Sequence, residues 1–414
     1  MIKLSIGNFM RAATTNTNPH ASTTVALADA IDELLTEHNL GTIDRSSLSV
    51  KRGRNLSCTF TTTESINLFA KQTSSNDCLK ASLEATKLLT RGPSSKNQGL
   101  FRAPRLIAST IANNILIFEG ISNADSVASM LQDEILNDEQ ILSLMERTGA
   151  GLREVHEQST NLVDLSDTPS PLPPLNHFHQ LPWSSFESFS ATSLQVWGRL
   201  QTDKELYRAV ASLREMENAN AKVPIHGDLR FDQFLFDNNH SQELWLIDWE
   251  EFRLGHRGRD LGGLIGEWLH IAFNSLSNRP ARNEPSVIFD EELTHNEILA
   301  RGEEALNSVL PQIAILWQSY LGQNTPNLDI QELAAVTAAF AGWHLYDRLI
   351  ATSELVPRVS ELSWAAAGIG KNILLNPVEA TESLGLTARS GPHSANAIYH
   401  DSRTTTGAEK KKLA

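Results

Sequence analysis

The sequence predicts an α+β chain, strand-rich in its first part and mostly helical in its second. Three observations predict this. Residues 48–72 alternate apolar and polar with period two, broken once at Lys51-Arg52-Gly53-Arg54-Asn55. All eight tryptophans fall between Trp183 and Trp364, which assigns the large aromatic core to the second half. After Gly255 the chain reads as helices down to about Asn376, with Leu333, Val336, Phe340 and Trp343 recurring on one face of a buried helix.

Along the chain, an amphipathic segment around Val25 to Leu35 predicts a helix within an N-terminal extension, residues 1–45. Two or three antiparallel strands between Leu48 and Gln72 follow. Asp77 to Leu89 reads as a helix with Asp77 as N-cap and Leu79, Leu83 and Leu88 as its apolar stripe. A strand pair, Arg105 to Ser109 and Asn114 to Phe118, closes a unit spanning 46–121. Helix returns over Gln140 to Glu157 and stops in a segment with five prolines, Asn161 to Pro182, read as a linker or an insertion edge. One or two helices fill Trp183 to Asn220. A hairpin follows, Phe234-Leu235-Phe236 against Leu244-Trp245-Leu246-Ile247. The larger unit is thus 122–376, and 377–414 is expected to be a polar, disordered tail.

The 414 residues carry 35 lysines and arginines against 49 aspartates and glutamates, a net charge of −14, which argues against non-specific nucleic-acid binding. The two cysteines, Cys58 and Cys78, have no spacing for a zinc site or a disulfide framework and suit a reducing, cytoplasmic setting. No apolar stretch approaches a membrane span.

The chemistry concentrates in Ile225-His226-Gly227-Asp228-Leu229-Arg230-Phe231-Asp232-Gln233, followed after the hairpin by Ile247-Asp248-Trp249-Glu250-Glu251. Two carboxylates are delivered by the two ends of one hairpin. Such a pair suits phosphoryl transfer, in which one carboxylate accepts the acceptor hydroxyl's proton and the other holds Mg²⁺ on the nucleotide's phosphates. Oxygen donors are what magnesium prefers.

These residues resemble the aminoglycoside phosphotransferase and choline kinase superfamily, whose catalytic loop reads His-Gly-Asp with an asparagine five residues later, and whose metal loop reads Ile-Asp-Trp or Ile-Asp-Phe. The resemblance runs from about Leu48 to Asn372. It implies a two-lobed protein-kinase-like fold with a small antiparallel-sheet N-lobe and a larger helical C-lobe. It also implies ATP and Mg²⁺, with Asp228 as catalytic base, Asp248 as main metal ligand and His226 fixing the loop. Gln233 departs from the superfamily's asparagine, keeping the carbonyl donor but moving it outward by one methylene.

Upstream, Leu68-Phe69-Ala70-Lys71 looks like the third N-lobe strand with its phosphate-neutralising lysine, and Glu84 lies on the next helix where that lysine's partner belongs. The alternative is a pairing of Glu84 with Lys80 along the helix. Gly53 and Asn55 would belong to a nucleotide-covering turn, and Glu119 falls where such kinases hold adenine through backbone groups. Arg230 either contacts a phosphate or pairs structurally with Asp232, Glu251 or Asp260. The basic run Arg253, His256, Arg257 and Arg259 either faces an anionic acceptor or is a solvated face.

The fuller wording, His-Gly-Asp-Leu-Arg-Phe-Asp-Gln-Phe-Leu with Asp-Trp-Glu-Glu-Phe-Arg and Arg-Asp-Leu-Gly-Gly-Leu-Ile-Gly-Glu-Trp-Leu, is similar to the kinase subunits of class V lanthipeptide synthetases. That resemblance implies phosphorylation of serine and threonine hydroxyls in a ribosomally made precursor peptide, with a separate lyase as partner to eliminate phosphate. Two other readings are carried forward: a small-molecule hydroxyl kinase of the aminoglycoside phosphotransferase type, and a non-catalytic nucleotide-binding scaffold.

Overall fold

A computed structural model describes residues 19–52, 55–90, 100–122, 124–158, 173–219, 222–237, 243–278, 295–322 and 328–388. The chain divides into two compact units, residues 1–80 with 104–122 and residues 81–103 with 123–414.

The first unit begins with helix α1 (Pro19–Glu37) and continues through strands β1 (Ser49–Arg52), β2 (Leu56–Thr61) and β3 (Asn67–Gln72). Helix α2 (Asn76–Thr90) follows, then β4 (Leu106–Thr110) and β5 (Ile115–Glu119). The strands form one antiparallel sheet in the order β1-β2-β3-β5-β4. Alternation decides which side chains go inward: Cys58, Phe60, Leu68, Ala70, Ile115 and Ile117 are buried on one face. Leu27, Ile31, Leu34 and Leu35 of α1 close over that face in the same core. The N-terminal segment therefore completes the sheet unit instead of forming an extension apart from it, because the sheet has an apolar face that needs a cover. Burial pushes the Cys58 thiol up to about 11, so it packs as a small apolar group.

Helix α2 starts one residue earlier than expected, and its cap is Ser75, whose hydroxyl accepts the Cys78 amide at 3.2 Å. Asp77 lies in the first turn. Residues of α2 up to Lys80 belong with the sheet and those from Ala81 with the second unit.

The second unit opens with β6 (Ala124–Ser126), α3 (Val127–Gln132) and α4 (Asp138–His156). Within the proline-rich stretch, α5 (Leu175–His179) is helical, which corrects the reading of a plain linker there. Trp183 to Asn220 then holds three helices where one or two were expected: α6 (Trp183–Ser188), α7 (Ala191–Thr202) and α8 (Lys204–Ala219). Next come β7 (Val223–Ile225), β8 (Phe234–Asp237), β9 (Leu244–Leu246) and β10 (Arg253–Gly255). The expected hairpin is β8-β9, paired Phe234 to Leu246, and β6 adds a third strand to it; β7 and β10 form a separate ribbon. The chain ends in α9 (Arg257–Asn278), α10 (His295–Leu321), α11 (Ile330–Leu355), α12 (Glu361–Leu375) and α13 (Pro377–Ser383).

Helix α11 is buried on all sides, from Leu333 to Tyr346 without a break. It packs along α9 because Gly262 and Gly266 have no side chain: a Cβ at either would lie 2.4 Å from a Cβ of Phe340 or His344. Among the described residues no helix is long and apolar enough to cross a membrane.

The boundary at residue 377 is corrected. Past α13, Leu384 and Leu386 are 3% and 2% exposed in the helical core, and the Trp317 indole donates to the Thr387 carbonyl at 3.0 Å. Two leucines in a short polar sequence carry no periodicity, so only packing identifies them. Residues 389–414 lie outside the described residues. Leu384→Ala should cost about 2–4 kcal/mol by the loss of buried methyl groups and the cavity left, read as a shift of the urea midpoint with an unchanged slope.

Candidate functional site

The catalytic-loop segment of the second unit follows β7 and is pinned by one buried carboxylate. Asp260, fully buried near the start of α9, accepts the His226 amide at 2.7 Å and the Gly227 amide at 2.9 Å, one on each oxygen. Nε2 of the fully buried His156 on α4 lies 3.1 Å from Asp260, and its Nδ1 lies 2.9 Å from the Tyr320 hydroxyl. Arg257 in turn donates to that hydroxyl at 3.1 Å. With Nε2 as the donor, the bonds run in one direction from Arg257 through Tyr320 and His156 to the carboxylate. Burial acts to raise the Asp260 pKa, but the His156 bond and the loop amides outweigh it and hold the group below the ordinary carboxylate range.

Gly227 has φ +89°, and a Cβ there would lie 2.4 Å from the Glu251 carbonyl oxygen, so this position of the loop requires glycine. His226 ties the loop to the far end of the hairpin: its Nε2 is 2.9 Å from the Ile247 carbonyl, and its ring lies 4.7 Å from that of Trp249. The Ile247 amide donates to the Gln233 carbonyl at 3.0 Å, closing the base of the hairpin. Asp248 follows directly, in the left-handed region at φ 68°, a conformation that aspartate tolerates and that turns the chain sharply there.

Arg230 gathers the acidic groups. Its guanidinium donates to Asp228 Oδ2 at 2.7 Å and to Asp232 Oδ1 at 3.0 Å. Burial acts to lower its pKa, but the fields of Asp228, Asp232 and Asp248 together raise it. Asp228 and Asp248, twenty residues apart in sequence, therefore act on the same guanidinium. Asp228 also helps to push up the carboxyl of Glu251, after the larger effect of burial. Of the pairings expected for Arg230, that with Asp232 is present; the one with Asp228 was not anticipated.

Gln233 is buried, and its side-chain oxygen accepts the Arg230 amide at 3.0 Å. An amide oxygen has two acceptor positions, of which the Arg230 amide takes one. The donors around the hairpin are thus all oxygens. Among the described residues no group of three or more His, Cys, Asp or Glu side chains forms a metal cage. A hard cation completed by phosphate oxygens and water fits such a donor set.

The basic run is corrected. Arg259 makes two bonds to Glu217, at 2.6 and 3.1 Å, beneath the Phe340 ring; Arg253 pairs with Glu251, and His256 lies 3.2 Å from Glu332. These groups are partnered inside the fold, so they form neither a solvated face nor a basic patch for an acceptor. Sequence order gave no sign of this, because Glu217 and Glu332 come from distant helices. Trp249 and Trp268 are core residues, as expected.

In the sheet unit, Lys71 lies on β3 opposite Ser57 and Leu116. The Glu119 side chain is exposed and ion-pairs with Arg105 at 3.3 Å, while its amide donates to the Arg105 carbonyl at 2.9 Å. Asn55 begins the strand-side end of the turn; Gly53 lies outside the described residues. On α2, Glu84 pairs with Lys87. The intrahelical alternative had named Lys80.

Residues 96–283 match a family model described as the phosphotransferase enzyme family, APH. The matched segment contains the catalytic loop, the hairpin and α9 whole, and with it the resemblance to the aminoglycoside phosphotransferase and choline kinase-like superfamily holds. Similar solved structures include an amicoumacin kinase in complex with AMP-PNP and Ca²⁺, 12% identical over 87% of this chain and 94% of that one, with a TM-score of 0.48. An ethanolamine kinase of Plasmodium vivax is 13% identical over 89% of each chain, TM-score 0.45. The GDP complex of an aminoglycoside 2′-phosphotransferase-IIIa is 13% identical over 85% of this chain and 99% of that one, TM-score 0.42. No curated protein matches the chain.

Two outcomes follow from the charges held here. Asp260→Asn puts an NH₂ group where an amide N–H now finds an acceptor; it should cost about 3 kcal/mol in urea unfolding and slow phosphoryl transfer. His270 on α9 is pushed down to about 4 by burial. On unfolding it regains an ordinary value near 6.5, so the unfolded chain binds the extra proton and stability falls as pH drops from about 6.5 to 4. His270→Gln should flatten the slope of stability against pH in that window by up to about one proton.

Proposed function

We propose that the chain is an ATP-dependent kinase that phosphorylates serine and threonine hydroxyls of a ribosomally synthesised precursor peptide, supplying the phosphate that a separate lyase then eliminates. The observation that carries the phosphoryl-transfer part is that one hairpin has Asp228 before its first strand and Asp248 after its second, with Arg230 bonded to Asp228 at 2.7 Å. The peptide acceptor is supported by the sequence resemblance to lanthipeptide synthetase kinases.

The acceptor oxygen attacks the terminal phosphorus of ATP, the bond to the bridging oxygen breaks, and ADP leaves. Asp228 takes the proton lost by the acceptor hydroxyl. Arg230, bonded to Asp228, keeps that carboxylate in place and adds positive charge beside the transferred group. Asp248 and Gln233 would hold Mg²⁺, which supplies charge neutralisation of the phosphates. Asp260 keeps the base fixed through the His226 and Gly227 amides. Lys71 retains the phosphate contact that the resemblance implies.

One observation favours the small-molecule alternative. Asp347, half-buried, borders a cavity beside Asp228, and a carboxylate there suits an acceptor bearing an amine. The internal pairing of Arg253 and Arg259 also removes the basic patch that spoke against a cationic acceptor.

With ATP, Mg²⁺ and the precursor peptide, mass spectrometry should find a phosphate on serine or threonine, converted by the lyase to a loss of water. Phosphate on an aminoglycoside and never on peptide would select the alternative. Binding of ATP without turnover in the presence of both peptide and lyase would select a scaffold. Asp228→Asn should cut transfer by about 10²–10⁴-fold and leave the half-saturating ATP concentration nearly unchanged.

A further inference from the structure

Four polar side chains from three helices of the second unit form one line of hydrogen bonds that ends at the catalytic loop: Arg257 of α9, Tyr320 of α10, His156 of α4 and Asp260 of α9. His156, Tyr320 and Asp260 are each no more than 1% exposed, and Arg257 is half-buried. Helices α4 and α10 come close because Gly149 has no side chain: a Cβ there would lie 2.3 Å from the Leu316 carbonyl oxygen and 2.9 Å from the Tyr320 amide nitrogen. The Ser319 hydroxyl donates to the Glu146 carbonyl at 2.5 Å across the same contact. Further along α4, the ring of His156 meets that of Tyr320 edge to face, with centroids 5.6 Å apart.

One arrangement of protons satisfies the line. Burial acts to raise the Asp260 pKa, but the donors around it hold the group below the ordinary range, so at neutral pH it is ionised and only accepts. His156 Nε2, 3.1 Å away, therefore carries a ring proton and donates it. Burial pushes the Tyr320 hydroxyl above its ordinary value, so it keeps its proton and donates it to His156 Nδ1 at 2.9 Å, while its oxygen accepts from Arg257 at 3.1 Å. A proton on Nδ1 would take from the Tyr320 hydrogen its acceptor, a cost in a buried place. The position asks for a donor and an acceptor at separate edges of one rigid group. Imidazole supplies them, whereas an amide side chain carries both on one carbon. At the end of the line, Asp260 Oδ2 takes His156 Nε2 and the His226 amide, and Oδ1 takes the Gly227 amide. Without Nε2, Oδ2 loses one of those two donors, and a turn of the carboxylate carries with it the two amides that precede Asp228.

We propose that His156 is a positioning residue for phosphoryl transfer: it acts on Asp228 through Asp260 and the loop amides, and Tyr320, held by Arg257, fixes the tautomer and orientation of its ring. The proposal rests on the phosphotransferase reading and adds to it a residue whose side chain has no exposed surface. Hydrogen bonds in such a line strengthen one another, so removal of the Tyr320 hydroxyl, two bonds away from the loop, is felt at Asp228 in the same direction as removal of the imidazole and more weakly.

The test uses the full chain with Mg²⁺ and radiolabelled ATP and reads phosphate released to water, which requires no chosen acceptor, together with amide hydrogen exchange. His156→Ala should lower kcat about tenfold, the worth of one hydrogen bond to a buried charge, while the half-saturating ATP concentration stays within about twofold. His156→Gln, whose amide nitrogen reaches the place of Nε2, should recover part of the loss, and so should free imidazole added to His156→Ala. Tyr320→Phe should lose about threefold in kcat. In His156→Ala the His226 and Gly227 amides should exchange about tenfold faster, with Leu246 and Ile247 of the hairpin at the wild-type rate. Should His156→Ala fail to fold, Tyr320→Phe, which removes a single oxygen, carries both readouts. Unchanged kcat in the His156 and Tyr320 variants, or exchange quickened equally in loop and hairpin, overturns the role of His156 and leaves the phosphotransferase reading intact. A wild-type chain that releases no phosphate also overturns that role, and calorimetry with MgATP then shows whether the phosphotransferase reading falls with it: no binding rejects both.

Discussion

The structure of the site depends on one buried carboxylate. Asp260 has no exposed surface, and an ionised group in that position is stable only because several donors converge on it: the amides of His226 and Gly227 and the imidazole of His156. Those same donors define the loop. Because the carboxylate cannot give up its partners without a penalty of several kcal/mol, the backbone before Asp228 has one stable arrangement. The order of the site is thus set from α4, α9 and α10, elements that contribute no reacting group.

A second constraint is the close packing of α9 and α11. Glycines at 262 and 266 bring the helix axes near enough for Phe340 and His344 to reach across to α9. That contact places the Glu267–His344 pair next to the loop that holds Asp228, and Phe340 under the guanidinium of Arg259. Charge around the site is therefore largely paired within the protein: Arg259 with Glu217, Arg253 with Glu251, Arg348 with Asp347, Arg230 with Asp228 and Asp232.

The elements read most easily from sequence were those with a strict period. Alternation over 48–72 gave two or three antiparallel strands, of which three are present, and the apolar face of Leu333 to Trp343 gave a buried helix. The hairpin was legible from its two apolar runs and the polar turn between them. Three kinds of feature were not legible. The short strands β6, β7 and β10 have three residues each, too few for a period to show. Ser75 was passed over as the cap of α2 because Asp77, two residues on, is an equally good capping type. Leu384 and Leu386 read as part of a polar tail because their burial comes from the helical core of the second unit, not from neighbours in sequence.

The site divides along the same line. Sequence alone determined that one hairpin lies between Asp228 and Asp248, because its two apolar runs and polar turn are local, and local geometry is what adjacent residues control. Only tertiary structure decided what each charged group touches: that Asp260 holds the loop, that Arg230 bonds Asp228 and lies in the field of Asp248, that Arg253 and Arg259 are paired with Glu251 and Glu217, and that His344 faces the same cavity as Asp228. Those assignments join residues up to 164 positions apart, as His156 and Tyr320 are. Coulomb and hydrogen-bond energies depend on distance through space, and no pattern along the chain encodes that distance until the helices have packed.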